Sequence, residues 1–241
     1  MSFQNKFNES ARIYDMHANI QRDVSKEMVD FYVNYNKNLP KKILDIGCGT
    51  GFNIENLKVF YSNCHYTALD ISRNMLDIAR RKFGDNRMTY IHHDAQSFDF
   101  QGLMFDACIS NMCFQWIDDL EFFLDKLKKH TNRIIFSTLL SGSFREFYEL
   151  FDKIEPFSSS NKFYKNTDQM QEICRKISAN VRYFELEKII IKSSAIDAAR
   201  YFKNIGASIH SDNFYKNLNI LRKNRDKIEL KYKIFIGDII L

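Results

Sequence analysis

At 241 residues the chain is long enough to bury a sizeable core within one α/β domain with insertions. Its 45% hydrophobic and 27% charged residues place it among soluble globular proteins and exclude a disordered chain, and no apolar run approaches the roughly 20 residues of a membrane-spanning helix. The net charge of +5 allows an acidic partner but is too small to argue for nucleic acid, and no membrane partner is expected. The start, MSFQNKFNES, lacks the apolar centre of a secretory signal, so the protein is expected in the cytoplasm. Five cysteines (Cys48, Cys64, Cys108, Cys113, Cys174) fall outside paired metal spacing, and their odd number argues against a disulfide framework. Reduced thiols and no metal are the expectation.

Residues 9–36 carry apolar side chains at helical spacing (Ile13, Met16, Ile20, Val24, Met28, Phe31, Tyr32), which predicts an N-terminal helix. Along it Tyr14, His17 and Gln21 recur at intervals of three and four, forming one polar stripe. That stripe is either a solvated face or the underside of a lid. Pro40 interrupts, and strand 42–46 follows, then helix 52–61, strand 66–70, a helix capped by Ser72, and strand 88–92. Strand 105–110, helix 118–129 and strand 133–138 complete the alternation, which implies a doubly wound, mainly parallel sheet. Beyond it, 187–192 and 231–240 are strand candidates, separated by helix-like stretches 194–204 and 212–228. A pair of this kind predicts a seven-stranded sheet with an antiparallel edge strand. The chain therefore divides into an N-terminal helical lid (1–40), a ligand-binding core (41–140), a capping insertion (141–184, with SSSNK at 158–162 read as loop) and C-terminal strands and helices (185–241). A connection as long as that insertion is more often functional than idle.

Only eight glycines occur, and three of them lie in ILDIGCGTG, residues 43–51. Glycine alone gives positive φ freely and lets a ligand approach the backbone. In open α/β sheets that first strand-to-helix turn is where ligands bind. A dinucleotide site wants G-x-G-x-x-G, but Phe52 stands at the third glycine's place. The spacing D-x-G-x-G-x-G over Asp45, Gly47, Gly49 and Gly51 is similar instead to that of the class I methyltransferases. Their cofactor, S-adenosylmethionine, has an amino-acid end, a sulfonium and an adenosine. The resemblance implies that Asp45 faces the cationic amino-acid end, directly or through water. Asp70, followed by Ile71, closes the second strand where a carboxylate can accept both ribose hydroxyls. Asp94 and Ala95 close the third, where an acid can receive the adenine amino group. Each acid alone could be a surface loop residue; together with the glycines they place a cofactor site at successive strand ends.

After the fourth strand comes SNMCFQW, residues 110–116. It holds neither the Pro-Pro-aromatic turn of adenine-N6 enzymes nor the Pro-Cys nucleophile of cytosine-C5 enzymes, so Cys113 reads as a small wall residue. Trp116 reads first as packing and second as a neighbour of adenine or substrate. Asn111 either bonds the cofactor or caps the turn. His92 and His93 have no third ligand, which disfavours a metal.

Beyond the loop, the blocks 7–28, 69–80, 110–120, 136–139, 201–207 (YFKNIGA) and 232–237 (YKIFIG) resemble the malonyl-acyl-carrier-protein O-methyltransferase family of biotin synthesis. The chain departs from it at KKHTNR (128–133), where many relatives have Pro-Gly-Gly, and at 140–143, which lacks a Gly-Pro-Gly stretch beside the substrate cavity. The resemblance implies methylation of a malonyl carboxylate carried on an acyl carrier protein or CoA thioester. A carboxylate with a pKa of about 4 needs no base at neutral pH; it needs alignment and donors. Arg145 is the leading donor candidate, with Tyr14 and His17 assisting, against the plainer reading of an exposed arginine beside Glu146 and Glu149. Gln21 and Asn111 join Asp45, Gly47, Gly49, Gly51, Asp70, Ile71, Asp94 and Ala95 as candidate cofactor contacts. An acidic carrier calls for a basic docking face, either Lys126, Lys128, Lys129 and Arg133 or Arg222, Lys223, Arg225 and Lys227. Two other readings stand beside this one: a methyltransferase of another small acid, and a non-catalytic cofactor-binding factor.

Overall fold

The computed structural model describes residues 3–36, 38–152, 164–207 and 218–241. Helices α1 (Phe3–His17) and α2 (Asn19–Tyr35) precede β1 (Lys42–Ile46), α3 (Phe52–Phe60), β2 (His65–Asp70), α4 (Arg73–Phe83), β3 (Met88–His92) and β4 (Ala107–Asn111). A 3-10 turn (Phe114–Trp116) leads to α5 (Leu120–Leu127) and β5 (Arg133–Leu139). The remainder is α6 (Arg145–Asp152), α7 (Thr167–Ile177), β6 (Asn180–Lys192), α8 (Ala195–Asn204), α9 (Leu218–Lys223) and β7 (Ile228–Ile240). The strands form one sheet in the order β3-β2-β1-β4-β5-β7-β6. The first five are parallel, and β7 runs antiparallel to both β5 and β6.

The doubly wound expectation holds, with one sharpening: the antiparallel strand is β7, one place in from the edge, and β6 is the edge. The residues explain this placement. The middle of β7 is Ile234–Phe235–Ile236, buried on both faces, whereas β6 alternates exposed and half-buried positions and carries Arg182, Glu185, Glu187 and Lys188. Side-chain alternation sends Ile43, Ile109 and Ile135 toward a layer containing α2, α3 and α8, and Leu44, Ile46, Ile134 and Phe136 toward a layer of α5 and α7. Helix α7, inside the expected insertion, thus belongs to the core of the second layer. It opens with a capping box of Asn166 and Gln169. SSSNK and the first part of the 212–228 stretch lie outside the described residues.

The predicted single N-terminal helix is two helices, broken at Ala18, which is fully buried. The break lets α2 pack on α3 and the sheet while α1 crosses to α4 and α8. It divides the expected polar stripe. No helix among the described residues is long and apolar enough to cross a membrane.

Arg133 opens β5, and its guanidinium grips Asp238 of β7 with two bonds of 2.6 Å, stacked at 4.8 Å over the Tyr32 ring. Both side chains are buried. This removes Arg133 from the candidate docking face, because a paired core cation has no free surface to offer. Asp238→Ala strands that cation, and urea unfolding is expected to show a loss of about 3 kcal/mol.

Candidate functional site

The strand order reverses between β1 and β4, and there the chain leaves β1 in the glycine loop. Gly47 and Cys48 donate backbone N–H groups to the Leu69 carbonyl at 2.8 and 3.2 Å, pinning the loop to the end of β2. Gly49 donates to Asp70 Oδ2 at 2.8 Å, and Ser72 N–H donates to Asp70 Oδ1 at 2.7 Å. One carboxylate thus closes the loop and opens α4. Gly49 has φ +53° and open space where a side chain would stand, whereas a Cβ at Gly51 (φ +92°) would run into the Phe83 ring of α4. The bareness of Gly51 serves packing; that of Gly49 leaves room for something else.

Beyond the ends of β1 to β4 lies a cavity to which the structure brings Tyr14, Gly47, Gly49, Asp70, Ile71, Asp94, Ala95 and Asn111. Its wall also includes Phe7, Met75, His93, Gln96, Met112, Cys113, Trp116 and Ile117, most of which sequence reasoning passed over. Apolar residues on helices look alike whether they face a core or a ligand, so only their neighbours, such as Gln96 after Asp94 and Ala95, offered a signal. Asp94 Oδ1 accepts from Gln96 N–H at 2.9 Å in a tight turn. Trp116 stands on the wall with Phe7 edge-on at 6.2 Å. The Cys113 thiol is pushed up to about 12 by burial and then by the Asp70 charge, so it stays protonated and is no nucleophile. His93 bonds the Asp94 carbonyl through Nδ1, and no metal-holding cluster occurs among the described residues.

Helix α1 roofs the cavity and is tied down at two points, Asn8 and Asp15. Asn8 takes the Ser72 hydroxyl at 2.7 Å and its carbonyl takes the Asn74 amide at 2.9 Å. Asp15 takes Lys82 and the Thr50 hydroxyl, each at 2.5 Å. Tyr14 lines the cavity and stacks on Phe52 at 6.0 Å. Burial first, then Tyr201 and Asp70, holds its phenol far above the usual range, so it stays protonated.

Other expected residues sit elsewhere. Asp45 and Gln21 are buried outside the cavity lining, and Asp45 Oδ2 and Gln21 Oε1 have no hydrogen-bond partner among the described residues. Burial raises Asp45 to about 7. Asn111 lines the cavity, and its side chain accepts from Ser137 Oγ at 2.6 Å and donates to the Gln21 carbonyl at 2.8 Å. His17, the last residue of α1, is not on the cavity wall and meets Asn204 of α8 at 3.2 Å. Arg145 is 78% exposed, bonds Glu149 at 2.7 Å and does not reach the cavity. Lys126 donates to the Phe98 carbonyl at 2.6 Å, and Lys128 and Lys129 both pair with Asp125.

A family model described as a methyltransferase domain matches residues 43–133, from β1 to the start of β5. With the sheet order and the loop at its switch point, this makes the chain a class I S-adenosylmethionine-dependent methyltransferase. Its similarity is to malonyl-[acyl-carrier protein] O-methyltransferases. The Bacillus cytotoxicus protein of that name is 28% identical over 222 residues, 88% of this chain and 78% of that one. The biotin biosynthesis bifunctional protein BioHC of Teredinibacter turnerae is 27% identical over 84% of this chain and 38% of its own length. Among solved structures, the plantazolicin methyltransferase BpumL in complex with SAH superposes with a TM-score of 0.56 at 18% identity, covering 96% of this chain and 88% of that chain. The residues present fit the cofactor. Within the lining, the buried Asp70 carboxylate and the open space at Gly49 offer an acceptor and room, which suits a ligand bringing a ribose diol, while the bare oxygens of Asp45 and Gln21 are buried outside that lining.

Proposed function

We propose that this methyltransferase esterifies the free carboxylate of a malonyl thioester borne on acyl carrier protein, a step of biotin synthesis. The observation that carries the reading is a cavity whose wall holds the protonated Tyr14 phenol, in a chain similar over most of its length to malonyl-[acyl-carrier protein] O-methyltransferases. When bound, S-adenosylmethionine supplies a methyl group on a cationic sulfur. The protein's work is then to hold the acceptor carboxylate in line and to keep water out. Asp70 and Asp94 take the ribose and adenine ends, Gly47 and Gly49 admit the ligand's chain, and Asp45 answers its ammonium. Ile71, Ala95 and Ile117 wall the adenine slot. Tyr14, a permanently protonated phenol under the lid, donates to the acceptor carboxylate. The lid's two anchors, Asn8 and Asp15, hold that donor in place. The cations Arg222, Lys223, Arg225 and Lys227 make no ion pair among the described residues and are the docking face for an acidic carrier; raising the salt concentration weakens its capture.

Tyr14→Phe is expected to raise the acceptor KM about tenfold, the loss of one hydrogen bond to a charged group, while S-adenosylhomocysteine affinity holds. Arg145→Ala is expected to leave both constants unchanged. With both substrates saturating, the rate should be flat above pH 7, because no residue must give up or take a proton; a basic limb in that profile contradicts the assignment. Steady-state rates with malonyl-carrier protein, malonyl-CoA and free malonate test the acceptor. The reading expects kcat/KM to be highest for the carrier-bound thioester, and equal rates with free malonate would point to a small-acid methyltransferase.

A further inference from the structure

We propose that Ser25 and Asn53 are positioning residues that keep the Asp45 carboxylate turned and ionised for the cofactor's ammonium. The inference rests on the reading of Asp45 given above. Alternation along β1 turns Asp45 toward α2 and α3, where it is fully buried. Its Oδ1 accepts from Asn53 Nδ2 at 2.8 Å, and Ser25 Oγ donates to Asn53 Oδ1 at 2.8 Å. Asn56 Nδ2 donates to the same Ser25 oxygen at 3.0 Å. That last bond occupies the acceptor side of the hydroxyl, so its hydrogen points at Asn53, and the Asn53 amide must present nitrogen to the carboxylate. Donor order is thereby set from α2 through α3 to β1.

A network serving only stability would satisfy both carboxylate oxygens or be replaced by packed apolar groups. Here one oxygen is satisfied and Oδ2 is bare. The groups facing Asp45 sharpen the need for the relay. Asp70 on β2 is a second negative charge, the Cys48 and Cys113 thiols are held protonated by burial, and α2 and α3 offer only the neutral Ser25 and Asn53. Burial lifts the Asp45 carboxyl to about 7, and the Asn53 bond opposes the rise. Without that bond the carboxyl takes up a proton at neutral pH and no longer attracts a cation.

The test is calorimetric binding of two ligands across about pH 6 to 8, below the loss of the amino acid's own proton. S-adenosylhomocysteine carries the amino-acid end; 5′-methylthioadenosine does not. Ser25→Ala and Asn53→Ala are expected to weaken S-adenosylhomocysteine about tenfold at neutral pH and to move its acid limb upward by on the order of one pH unit. Methylthioadenosine affinity should stay within about twofold, and Ser25→Thr should restore the wild-type profile. Equal losses for both ligands, or an unmoved limb, overturn the proposal; Ser25→Ala keeps the test usable if Asn53→Ala fails to fold. Asp45→Asn separates the two claims. If it leaves S-adenosylhomocysteine affinity intact, the role of Asp45 itself falls; if it weakens binding while Ser25→Ala does not, only the relay falls.

Discussion

Asp70→Asn is expected to weaken S-adenosylhomocysteine binding by on the order of a hundredfold to ten-thousandfold. Two ribose hydroxyls bonded to a carboxylate are worth about 3–6 kcal/mol together, at about 1.5–3 kcal/mol for each bond to a charged group. The substitution also reverses polarity inside the protein. Asp70 accepts from Gly49 N–H and from Ser72 N–H, and an asparagine must turn its own donor toward one of them. The glycine loop or the start of α4 then loses its anchor, so the effect exceeds a lost charge. Wild-type binding carries a related pH signature. Burial raises Asp70 to about 6 against two opposing backbone bonds, so its own contribution to affinity is full above that value and is lost as pH drops through it. Asp70→Asn removes that contribution and leaves weak binding whose remaining pH dependence is that of Asp45. Titration calorimetry reads both effects.

Gly49→Leu is expected to abolish binding while leaving a folded protein. A Cβ at Gly49 meets no protein atom within 4 Å, so the first cost to the fold is that of a left-handed residue, about 1–2 kcal/mol. The leucine instead fills the cavity that Gly49 lines. Gly51→Ala is the opposite case. Its φ of +92° is compounded by the Phe83 ring, so stability falls while the cavity wall is untouched. Thermal unfolding with and without S-adenosylhomocysteine distinguishes them: ligand at a hundred times Kd adds about 2.7 kcal/mol to a competent site. Gly51→Ala should melt early yet gain that increment, and Gly49→Leu should melt near wild type and gain none.

What could be read before the structure was whatever sits at a strand end. Gly47, Gly49, Asp70, Asp94 and Ala95 are legible because a βαβ sheet puts strand ends and ligand at one edge, and the strands were recognisable from local pattern. In the polar stripe, Gln21 is parted from Tyr14 and His17 because Ala18 breaks the helix with neither glycine nor proline to mark it, and His17 at the helix end turns to Asn204 instead. Only Tyr14 reaches the cavity. The order β5-β7-β6 depends on pairing between distant segments, and local alternation cannot rank edge against interior. Arg133 looked like a surface cation among lysines. The clue lay a hundred residues away, in the single Asp238 set among the apolar residues of β7. Asp45 was legible as a conspicuous acid, but its orientation toward α2 follows only from the strand's face. Two of the blocks that carry the family resemblance, 7–28 and 201–207, meet in space: Gly206 lies against Phe7, and Asn204 against His17.

The central claim is transfer to a carboxylate, and the product tests it most directly. Malonyl-carrier protein is incubated with methyl-labelled S-adenosylmethionine and the purified enzyme, and the acylated carrier is recovered and treated with mild alkali. Label that enters the acyl group, is released by alkali as methanol, and fails to enter acetyl-carrier protein is the predicted result. Label that survives alkali on the carrier, or no transfer from an enzyme that binds the cofactor, would contradict the account.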